Sequence, residues 1–93
     1  MIIISAPTHN FTYAGCTHNV FHVNTGEGLL KHQHLFNHAT ICHAGSVKIS
    51  LEGRNYILKK DSQPLDLPAN EWHEIEALED GTVFVNVFAE GKY

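Results

Sequence analysis

The sequence predicts an all-β fold, a sandwich or a small β-barrel forming one domain over residues 1–93. Three observations carry this. Apolar residues recur with period two in several short runs, turn residues punctuate the chain every few positions, and no stretch sustains a helical period.

Taken in order, residues 1–5 are apolar and strand-like at the start, but they carry no basic residue and turn polar at Ser5. Neither a signal peptide nor a membrane span is expected here, and the edge of this segment could pair with a neighbouring chain. Residues 20–23 (Val-Phe-His-Val) read as a strand, followed by turn signals at Gly26 and Gly28. His32-Gln33-His34 puts two imidazoles on one strand face, because strand side chains alternate. Leu35, Phe36 and Asn37 make a turn, and His38 starts the next strand, with Thr40 and Cys42 in its phase. Gly45 closes that strand. Residues 46–51 and 55–58 form a strand pair about the Glu52-Gly53 turn.

Turns follow at Lys60, Asp61 and Ser62, and again at Pro68, Ala69 and Asn70. In the next strand Glu74 and Glu76 share the solvated face, which turns His73 and Ile75 inward. After Asp80-Gly81, residues 82–88 are the strongest strand in the chain, rich in β-branched and aromatic residues. Asn86 is its one polar member after Thr82. Sharing a phase with Phe84 and Phe88, it would wall a pocket opposite the histidines.

Composition narrows the function. The hydrophobic fraction is 43% and the charged fraction 17%, a globular balance. Net charge is -4 with 6 scattered Lys and Arg, which argues against nucleic acid as a partner, since a backbone binder needs a basic stripe. No membrane partner is expected either. The 2 cysteines, Cys16 and Cys42, are too few for a disulfide framework, and a cytoplasmic location is the expectation. The 8 histidines outnumber Lys and Arg together. Histidine is the commonest metal ligand. His32, His34 and His38 are local donors and His73 a remote one, an all-nitrogen set suited to a transition metal on a β-scaffold. No serine sits in a glycine-rich elbow and no phosphate-binding glycine loop is present, so any catalysis would come from the metal.

The spacing around these histidines has a family likeness. From Gly26 the chain runs five residues to His32-Gln33-His34, three to His38 and six to Gly45. This resembles the first signature of the cupin family, with His38 standing where the family usually has glutamate. The second signature is matched in part. Pro68 and His73 are kept, Asn70 replaces a glycine as a residue that accepts a left-handed backbone, and Ser62 and Ala77 replace the outer glycine and asparagine. The resemblance spans roughly residues 26–88.

The resemblance implies a single-domain cupin, a small antiparallel β-barrel or jelly roll whose metal lies inside, bound by His32, His34, His38 and His73. One divalent transition metal ion is implied: Fe, Mn, Zn, Ni or Cu. Replacing a glutamate ligand by neutral imidazole leaves both charges of the ion uncancelled, which favours an anionic ligand. The implied function is dioxygenase-like or related metal-assisted chemistry on a small molecule. The alternatives are a non-catalytic metal- and small-molecule-binding module, and a structural ion that only stabilises the barrel. Phe36 and Trp72 flank the histidines in sequence, and Cys42 follows His38 in phase, so all three join Phe84, Asn86 and Phe88 as pocket candidates. Among the other histidines, His22 is the one expected nearest the pocket. A homodimer is expected from the family and from the open barrel edges.

Overall fold

The computed structural model describes residues 1–90. Ten strands form in chain order: β1 (Ile2–Ile3), β2 (His9–Tyr13), β3 (Cys16–Val23), β4 (Glu27–His32), β5 (His38–Ala44), β6 (Ser46–Leu51), β7 (Arg54–Lys59), β8 (Leu65–Leu67), β9 (His73–Ala77) and β10 (Thr82–Ala89). No helix occurs among the described residues. The strands make two five-stranded sheets, ordered β1-β4-β9-β6-β7 and β2-β3-β10-β5-β8. Every pairing is antiparallel except β1 on β4, which is parallel.

The all-β class read from the strand pattern, and the jelly roll that the resemblance implies, are the observed architecture. Two sheets with apolar inner faces bury those faces against each other. Ile49 and Ile75 contribute from the first sheet, Phe21, Leu67 and Phe84 from the second. Phe21 and Phe84 stack with ring centroids 4.8 Å apart. On β10, Thr82, Phe84, Asn86 and Phe88 are all buried, as their shared phase requires. Core and site therefore lie on one strand face, with Phe84 at the core end and Phe88 at the histidines.

Local chemistry fixes the connections. The β2–β3 hairpin turns on Ala14 and Gly15, both at positive φ (53° and 75°), the conformation a two-residue hairpin loop favours. Asn70 sits at φ 63°, so its left-handed backbone is what the proline turn before β9 needs.

Several expectations need correction. Gly28 is not a turn residue but lies inside β4, facing β9. A Cβ there would stand 2.0 Å from the Ile75 carbonyl oxygen, so glycine permits the close approach of the two strands. His34 is not on a strand face with His32, because β4 ends at His32 and His34 occupies the following loop. The Asn70 amide donates to the His34 carbonyl at 2.7 Å and holds that loop. His22 is exposed, since the inward phase of β3 belongs to Asn19, Phe21 and Val23. Ile2 and Ile3 pair within their own chain, opposite Glu27 and Gly28, and the other edge of β1 stays open at the border of its sheet.

Candidate metal centre

Both sheets contribute to the histidine cluster. His32 closes β4 and His73 opens β9, adjacent strands in register at this pair. His38 opens β5 in the other sheet, and His34 sits on the loop joining β4 to β5. Ring centroids lie 4.3 Å apart for His32 and His73, 4.8 Å for His32 and His34, 5.0 Å for His34 and His38, and 5.1 Å for His38 and His73. Phe88 on β10 backs them: its ring stacks on His38 at 4.4 Å and meets His34 edge-on at 5.2 Å.

The hydrogen bonds fix which nitrogens face inward. His32 Nδ1 lies 2.6 Å from the Leu30 carbonyl, and His73 Nδ1 lies 3.1 Å from the Glu71 carbonyl. A carbonyl only accepts, so both rings donate from Nδ1 and carry their lone pairs on Nε2. Those two Nε2 atoms are 3.1 Å apart. Two lone pairs at that distance repel unless a cation lies between them. One donor atom from each of His32, His34 and His73 can be chosen so that all lie within 4.8 Å of one another, a group that could hold a metal ion. His38 adds two buried ring nitrogens with no hydrogen-bond partner among the described residues, an uncommon state for buried polar atoms.

The electrostatics run in the same direction. Burial, then the neighbouring His73, His34 and His32, push His38 down to about 3. Burial and the His32 ring push His73 down to about 4. His34 is lowered by burial and by His32. These three rings are neutral at pH 7, the form a metal needs. The donor set is all imidazole, which suits Zn, Cu, Fe or Ni. The residues fit a divalent transition metal.

A cavity of about 260 Å³ opens beside the cluster, lined among others by Phe21, Leu29, His32, His34, Asn86 and Phe88. Of the pocket residues read from the sequence, Asn86 and Phe88 line it. Phe84 lies in the apolar core, and Cys42, also buried there, donates its thiol to the Ala44 carbonyl at 3.3 Å. Phe36 and Trp72 are partly exposed and do not line this cavity. The Lys31 ammonium lies 6.0 Å from the Trp72 ring centroid. Sequence reasoning missed Phe21 and Leu29. The inward phase of β3 was the available signal for Phe21, and its pattern alone did not say which wall it would reach.

Arg54 and Glu71 support the site from outside. The Arg54 guanidinium donates to the Glu71 carboxylate at 2.5 Å, and the Glu71 carbonyl accepts from His73. Such outer contacts set the tautomer and orientation of a ligating histidine.

No family model and no curated protein matches the sequence. Solved structures do resemble it. KdgF from a Halomonas species superposes with a TM-score of 0.77 at 18% identity, covering 87% of this chain and 74% of that one. A cupin-2 domain protein from Shewanella frigidimarina gives 0.70 at 13% identity, covering 92% and 84%. A cupin superfamily protein from Desulfitobacterium hafniense gives 0.71 at 13% identity, covering 92% and 82%. The likeness is one of fold.

Proposed function

We propose that this chain, which has the cupin fold, is a metal-binding cupin whose His32, His34, His38 and His73 hold one divalent transition metal ion. A small molecule would bind in the adjoining cavity. The observation that carries the reading is the pair of Nε2 lone pairs 3.1 Å apart on His32 and His73, with both Nδ1 atoms committed to carbonyls. The lowered basicity of His73 disfavours a shared proton at neutral pH and leaves a metal as the cation that relieves the repulsion. His38 joins the set because both its nitrogens are buried beside the other rings with no hydrogen-bond partner among the described residues.

Bound there, the ion would supply Lewis acidity toward an oxygen ligand or, as Fe or Mn, dioxygen chemistry, which makes dioxygenase-like or related metal-assisted chemistry the proposed reaction class. The chain's own residues do the rest. The Leu30 and Glu71 carbonyls hold the His32 and His73 tautomers, Phe88 fixes the His38 plane, and Phe21 and Leu29 exclude water from the cavity. Neutral ligands leave the ion's charge uncancelled, so an anionic small molecule is the favoured occupant.

The test is metal stoichiometry by elemental analysis, with His73→Ala and His34→Ala alongside. One ion per chain is expected in the parent, and a loss of affinity greater than about 100-fold in either variant. A parent protein that takes up no divalent metal would end this reading. We also propose a homodimer, supported by the edge position of β1 and the exposure of Ile2, Ile3 and Leu30. Sedimentation at micromolar concentration should give twice the chain mass. The free cysteines Cys16 and Cys42 support a reducing, cytoplasmic location, and no helix among the described residues is long and apolar enough to cross a membrane.

A further inference from the structure

Asn86 is a buried amide whose two ends have different fates. Its side chain is 4% exposed, and its Oδ1 accepts from the Thr40 hydroxyl at 2.7 Å. Asn86 and Thr40 face each other in the β10–β5 register, so the bond spans adjacent strands. On the next strand, the Asn19 side chain opposite Asn86 bonds to Asn10 Nδ2 instead. The Asn86 Nδ2 donor makes no hydrogen bond to the described residues and is not among their sealed, unpartnered atoms, so it opens onto the cavity that the residue lines beside His32 and His34. A donor held open to a cavity is available to whatever acceptor occupies it.

Its position sets what that acceptor can be. Asn86 and Phe88 are two apart on one face of β10, so the amide lies about 7 Å along the strand from the ring that backs His34 and His38. The cavity lining is mostly apolar, with Phe21 and Leu29 in it, and although Lys31 also lines it, its ammonium lies 6.0 Å from the ring of Trp72, which does not. A second carboxylate buried against a single neutral amide would lose more hydration than one hydrogen bond returns, whereas a neutral carbonyl would not.

Resting on the metal reading above, we infer that Asn86 Nδ2, held by Thr40, is a second anchoring point that selects small carboxylates carrying a neutral carbonyl oxygen a few bonds from the metal-binding end. The carboxylate meets the histidine-bound ion and the carbonyl accepts from Asn86. Thr40 is the positioning residue, since without its hydroxyl the amide is free to turn.

Two probes that differ at one carbon test this: 4-oxopentanoate and pentanoate, titrated into the Co(II)-loaded protein and followed by the cobalt d–d absorption. The oxo acid should bind about 3- to 10-fold more tightly, the range one hydrogen bond provides. Asn86→Leu should abolish the preference while keeping the cobalt spectrum. Thr40→Val should reduce it, and Thr40→Ser, which keeps the hydroxyl, should retain it. If Asn86→Leu does not fold, the Thr40 pair decides. Equal or undetectable binding of the two acids to the cobalt protein overturns the inference and leaves the metal reading standing, and so does a preference that survives both Asn86→Leu and Thr40→Val. A protein that takes up no cobalt overturns the metal reading, and the inference falls with it.

Discussion

At the scale of single residues, His38 and His73 tie stability to pH. Both are held neutral in the fold, with values of about 3 and about 4 against an ordinary histidine value of 6.5. Between those limits the unfolded chain binds more protons than the folded one, so stability rises with pH across the window and is lost as pH falls through it. Metal-free protein should therefore lose on the order of 2 kcal/mol or more between pH 7 and pH 4, read as a lower urea midpoint. A flat profile over that range would contradict the burial of these rings. Arg54 acts at one remove. Arg54→Ala should change stability by less than about 1 kcal/mol, because the Arg54 side chain is 49% exposed, yet weaken metal affinity about 10-fold by loosening the carbonyl that orients His73. Metal titration and thermal melting, measured together, separate the two effects.

At the scale of elements, the approach of β4 to β9 decides whether His32 and His73 meet. Gly28 allows it, since the nearest atom to an added Cβ is the rigid Ile75 backbone carbonyl rather than a yielding side chain. Gly28→Ala should cost more than about 2 kcal/mol and separate the two histidines, so metal affinity should fall with stability. Chemical denaturation and a metal titration check this, and unchanged values for both would refute it. Gly45, at the β5–β6 junction, is constrained twice: its φ of 69° favours glycine, and Thr82 Oγ1 would stand 2.2 Å from an added Cβ. The strands that alternate were legible because one of their faces is buried, as in β6, whose bounds of Ser46–Leu51 the period-two pattern gives directly. β2 was not, for its five residues are all exposed at a sheet edge and leave no hydrophobic alternation to read.

At the scale of the whole molecule, the histidine cluster spans both sheets. His32 and His73 come from one sheet, His38 from the other, and His34 from the loop between them. A bound ion would cross-link the two layers of a small barrel, and ligand binding stabilises the folded state by mass action. Chelator treatment of the metal-loaded protein should lower Tm by about 10 °C or more, the equivalent of roughly 2.7 kcal/mol at a hundredfold excess over Kd. A Tm indifferent to chelator would argue that the ion is not shared between sheets. The sequence by itself determined the all-β class, most strand positions, the four histidines and the inward phase of Asn86 and Phe88, because these follow from local alternation and spacing. Only the tertiary structure decided that Phe21 and Leu29 wall the cavity while Cys42 and Phe84 belong to the core, that Gly28 is a contact rather than a turn, and that Thr40 turns the Asn86 amide. Those facts depend on which strands lie side by side and how closely. Such neighbours are far apart in the chain, and a period of two says which face a residue takes but not what it meets there.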